Sequence, residues 1–79
     1  MKLKVSYFAW LREHAGADEE HVETQAPTPG DLWRELEARH HFHADTRSLR
    51  VAVNDEFAAW DAALSEGDRI VFIPPVAGG

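Results

Sequence analysis

The sequence predicts an α+β domain in which one long amphipathic helix lies across one face of a mixed sheet. Three observations predict it. Apolar residues alternate with polar ones at Leu3, Val5 and Tyr7 and again at Val51 and Val53, the period of half-buried strands. Between these segments, Pro29 to His40 carries the apolar stripe Leu32, Trp33 and Leu36 behind a capping signal. The order of segments is strand, helix or hairpin, long helix, strand, short strand, strand, which folds as a sheet covered on one side. Seventy-nine residues make one domain, near the smallest size at which a hydrophobic core holds without covalent staples.

The first strand runs from Lys2 to Phe8, with Phe8 out of phase with the inward set. Ala9 to Gly16 favours a short helix that stops at a glycine suited to a left-handed position. Glu20 to Thr24 is a weak strand candidate, because Val22 is its one aliphatic residue. Thr28 then caps the main helix, with Pro29 at its first position and Asp31 three residues after the cap. His41 to Ser48 reads as a polar, aperiodic loop, and Leu49 to Asn54 as a strand ending in the turn pair Asn54-Asp55. Phe57 to Leu64 holds a short strand or an irregular segment. Ser65 to Asp68 turns into the last strand, Arg69 to Ile73, which Pro74-Pro75 must end because neither ring can donate to a ladder. A small mixed sheet with this order is the pattern of a β-grasp, or ubiquitin-like, fold. Residues 1–75 are expected to form that domain and residues 76–79 a flexible tail.

The composition removes several classes of function. There is no cysteine, so disulfides, thiolate nucleophiles and cysteine-ligated zinc are excluded. A net charge of -6 opposes nucleic acid and anionic membrane as partners and favours a basic protein surface. The first residues alternate and lack the apolar run of a signal peptide, and no stretch is long enough to span a bilayer, so a cytoplasmic protein is expected.

The chemistry points to the end of the chain. Two glycines let a backbone pass a narrow channel, where any Cβ would obstruct, and present a terminal carboxylate to an enzyme. The run from Gly67-Asp68 through Arg69-Ile70-Val71-Phe72-Ile73 to Pro74-Pro75-Val76-Ala77-Gly78-Gly79 closely resembles the C-terminal pattern of the molybdopterin synthase small-subunit family. Tyr7-Phe8-Ala9-Trp10-Leu11-Arg12-Glu13 and Val51-Ala52-Val53-Asn54 extend the likeness over most of the chain. The resemblance implies that an E1-like activating enzyme adenylates Gly79 with ATP and converts it to a thiocarboxylate. It further implies that Gly78 and Ala77 thread into the large synthase subunit, where sulfur passes to cyclic pyranopterin monophosphate. On this reading the carrier binds no cofactor, and the catalytic side chains belong to its partners. A thiazole-pathway carrier shares the glycines but usually lacks Pro-Pro. Carriage for thiazole or tRNA thiolation, a ubiquitin-like modifier joined to lysines through Gly79, and a plain binding module are the alternatives.

Alternation puts Ile70 and Phe72 toward the helix and Val71 and Ile73 on the other face. Phe8, Phe57 and Ile73 are therefore expected to form an apolar patch near the tail exit. The resemblance implies that they, with Pro74 and Pro75, meet the partners. His40-His41-Phe42-His43 reads as a solvated helix end and not a metal site, which needs three or four fixed ligands. Asp18-Glu19-Glu20 reads as a solvated loop, and Trp10, Trp33 and Trp60 as core or core-edge aromatics.

Overall fold

A computed structural model of the chain describes residues 1–42 and 46–75. The expectations for Ala77, Gly78, Gly79 and His43 therefore lie outside the described residues. Five strands and two helices follow in the order β1 (Lys2–Tyr7), α1 (Trp10–Ala15), β2 (Glu19–Glu23), α2 (Pro29–His40), β3 (Arg50–Val53), β4 (Glu56–Phe57) and β5 (Arg69–Ile73). The sheet order is β2-β1-β5-β3-β4. β1 and β5 run parallel at its centre, and the other neighbours are antiparallel. This is a β-grasp.

The helix α2 forms where its local signals lie. Thr28 Oγ1 accepts from the Asp31 backbone N–H at 3.2 Å and donates to the Asp31 carboxylate at 2.9 Å. That bond, with the Arg34 guanidinium beside it, holds the Asp31 carboxyl below its usual range. Leu32, Trp33 and Leu36 then turn onto the sheet, where they meet Leu3, Val5, Tyr7, Val51, Ile70 and Phe72, all at most 2% exposed. Gly67, at φ 83, makes the turn that feeds β5, a backbone conformation that side chains with a Cβ resist.

Several elements differ from the expectation for physical reasons. β1 stops at Tyr7, because Ala9 takes φ 54 and ψ -133 and swings the chain out of the ladder. β2 forms despite its weak pattern, since β1 pairs with it over five residues and Val22 faces the core. Thr24, just past it, is buried and donates to Glu35 Oε2 at 2.6 Å, tying the strand to α2. The segment after α2 is not wholly polar. His41, left-handed at φ 58, turns the chain back so that Phe42 is 1% exposed and stacks on Trp33 with centroids 5.3 Å apart. Residues 58–64 are irregular but pinned: the Gly30 amide donates to the Trp60 carbonyl at 2.9 Å and the Leu64 amide to the Pro27 carbonyl at 3.0 Å. Trp60 and Leu64 pack against the core edge, as does Trp10, while Trp33 lies inside it.

Candidate docking face and tail exit

The sheet is covered on one face and open on the other. Register lines up the open-face residues into rows. Phe57 stands opposite Ala52, Ala52 opposite Val71, and Val71 opposite Ser6. One step toward the tail, Arg50 stands opposite Ile73, and Phe8 follows the Tyr7–Phe72 pair. Phe8 is 52% exposed and Phe57 75% exposed, while Val71 and Ile73 are half-buried. These apolar side chains lie across β1, β5, β3 and β4 at the end of the sheet from which the chain leaves toward its C-terminus. Pro74 is buried and Pro75 exposed, so the first ring seats against the fold and the second begins the exit.

The structure thus brings Phe8, Phe57 and Ile73 to one end of one face, with Pro74 and Pro75 following Ile73 at that end. Sequence reasoning passed over Ala52 and Arg50 there, although the alternation that sends Val51 and Val53 inward also sends these two outward. The charge on the open face runs against that of the whole chain. Lys2, Lys4, Arg50 and Arg69 share it with Glu19, His21 and Glu23. Lys4 is 3.4 Å from Glu19, and Arg69 is 3.5 Å from Asp55. The hairpin carrying Phe57 is fixed by Asn54 and Asp55, at φ 52 and 73, whose positive angles suit a two-residue turn. Asn54 Oδ1 accepts from the Arg69 amide at 3.0 Å and its Nδ2 donates to Asp68 at 2.9 Å, which ties the hairpin to β5.

The acids and histidines do different work. Glu20 belongs to β2, not to a loop, and its carboxylate accepts from the Tyr7 hydroxyl and from His40 Nε2 at 2.8 Å. A carboxylate cannot donate, so Nε2 carries the proton. Burial raises the Glu20 carboxyl, but the hydrogen bonds from Tyr7 and His40 outweigh it and leave the group below its usual range. Burial and the same bond push the Tyr7 hydroxyl far up. Among the described residues, no group of three or more His, Asp or Glu side chains is placed to hold a metal ion. No helix there is long and apolar enough to cross a membrane.

The chain is similar to known proteins over nearly its whole length. The sequence profile of the ThiS family matches residues 5–79. The molybdopterin synthase sulfur carrier subunit of Escherichia coli (strain K12) is similar at 35% identity, covering 98% of this chain and 99% of that protein. Its counterpart from Homo sapiens is 34% identical, with 99% and 94% covered. Among solved structures, small archaeal modifier protein 1 of H. volcanii superposes with a TM-score of 0.80 at 28% identity, covering 95% of this chain and 98% of that one. With a profile that spans nearly the whole chain and relatives that align end to end, the chain belongs to the ThiS family.

Proposed function

We propose that this chain is the sulfur carrier subunit of a molybdopterin synthase, and that it carries sulfur as a thiocarboxylate on Gly79. The observation that carries the proposal is the placement of Phe8, Phe57 and Ile73 on the open face at the tail exit. A free monomer gains nothing from large apolar groups in water, whereas a docked one buries them. The names of the E. coli and human relatives point the same way.

The chemistry follows from the inertness of a carboxylate. An E1-like activating enzyme joins the Gly79 carboxylate to the α-phosphorus of ATP, releasing pyrophosphate, and a sulfide-level nucleophile then attacks the carbonyl carbon as AMP leaves. The resulting thiocarboxylate is anionic and nucleophilic. With Gly78 and Ala77 threaded into the large synthase subunit, its sulfur is donated to cyclic pyranopterin monophosphate, and water restores the carboxylate. The carrier supplies no catalytic side chain and no cofactor of its own. We place this work in the cytoplasm, where ATP is at hand.

The test is the intact mass after incubation with ATP, a sulfur source and the activating enzyme of the same host. A sulfur-for-oxygen gain is expected in the wild type and not after deletion of Gly79, with the two melting temperatures equal because a terminal residue buries little. No gain in the wild type overturns the proposal. The likeness to small archaeal modifier protein 1 favours a second reading, in which the activated Gly79 is joined to lysines of other proteins. Gly-Gly remnants on host lysines after proteolysis would mark it.

A further inference from the structure

We propose that Arg50 selects the partner: the surface that docks on the open sheet face presents a carboxylate to Arg50 beside an otherwise apolar contact. This rests on the reading above that the face docks on the large synthase subunit. Arg50 stands directly opposite Ile73, the last residue of β5, and two residues along β3 from Ala52, which faces Phe57. It is exposed and makes no ion pair among the described residues. In a chain with fourteen acids and eight basic residues, that is unusual. Arg12, Arg34, Arg39 and Arg69 each lie within 4 Å of a carboxylate, as does Lys4. Among the described residues Lys2 likewise makes no ion pair, but it stands opposite Glu23 at the far end of β1 from the tail.

The physical argument concerns what docking does to this guanidinium. In the free chain it is hydrated, and its methylene stem can lie along Ile73. When a partner covers Phe8, Ile73 and Phe57, it must also strip water from a cation within one strand spacing of their centre. An arginine left there without an anion would oppose binding, since a desolvated charge is tolerated only when paired. A planar guanidinium is suited to a two-pronged bond with a carboxylate. The complementary surface is therefore apolar with one acid set into it, the opposite of the basic partner that the net charge alone suggests.

The experiment is a titration of the large synthase subunit of the same host against the full-length carrier and its R50L, R50E, R50K and K2E variants. R50L decides the matter, because the two accounts differ in sign. If the contact at this position is purely apolar, R50L binds as tightly as the wild type or more so. If a carboxylate faces Arg50, R50L strands it and weakens binding by about 30-fold or more, and R50E by more still. R50K, keeping the charge, should recover part of the loss, and K2E at the far end should stay within about threefold of the wild type. Equal melting temperatures show that each variant is folded. Wild-type affinity retained in R50L overturns this inference alone. A wild type that does not bind the large subunit overturns the function proposed above and this inference with it.

Discussion

The two faces of the sheet are built from the same strands, one residue out of step, and they end in opposite conditions. On the helix side Val5, Val51, Ile70 and Phe72 are at most 1% exposed, closed under α2 and Phe42. On the open side their chain neighbours Val71 and Ile73 stay half-buried, and Phe57 is 75% exposed. Within β5, apolar residues thus lie on both sides of the sheet, but the fold closes over only one of them. If the open face docks as proposed, adjacent residues of β5 serve separate ends, Phe72 stability and Ile73 association, and substitutions should separate the two.

The largest effect should come from the covered face. Phe72→Ala, which leaves a hole beneath Trp33 and Trp60, should lower the unfolding free energy by about 3–5 kcal/mol, measured by urea denaturation. For so small a domain that approaches the whole of its stability. Phe57→Asp should do the reverse. With that ring in water, stability should stay within about 0.5 kcal/mol, while affinity for the large synthase subunit should fall by roughly 30-fold or more, read by calorimetry. A Phe57→Asp protein that binds normally, or that unfolds, would erase the distinction between the faces.

Smaller effects sharpen it at the sheet edge. Glu20, held below its usual range by Tyr7 and His40, adds stability that is present above the ordinary carboxylate range and is lost as the pH falls through its lowered folded value. Glu20→Gln should therefore cost roughly 1 kcal/mol at neutral pH and flatten the loss of melting temperature between neutral and acid buffers. An unchanged acid profile would show that the contact is incidental. The smallest change is Ala9→Gly. A non-glycine residue at φ 54 and ψ -133 is strained, so glycine should stabilise by up to about 1 kcal/mol in thermal melts. A clear loss would mean that the methyl group has a packing role.

How much of this was legible in the chain depended on how local each cause is. The start of α2 could be read because Thr28, Pro29 and Asp31 act within one turn. The inward and outward sets of β1, β3 and β5 could be read from alternation, which is why Phe8 and Ile73 stood out as apolar residues with no place inside. β2 was faint because its stability comes from pairing with β1, not from its own composition. Phe42 was hidden because a single apolar residue in a polar run has no period, and its burial depends on the left-handed turn at His41. The Tyr7, Glu20 and His40 contact joins three elements distant in sequence, so nothing local announced it. Pro74 was legible as the end of a strand, but its burial was not, since that depends on where β5 ends against the rest of the fold.

The position of β5 has a mechanical consequence. The strand that leads to the tail is bonded on both sides, to β1 over four register pairs and to β3 over four more. A pull along the tail therefore loads these ladders in shear, all their bonds together, and does not peel them open one at a time as it would at an edge strand. Tension applied at the end of β5 is therefore borne by the whole of both ladders, without the domain unravelling behind it.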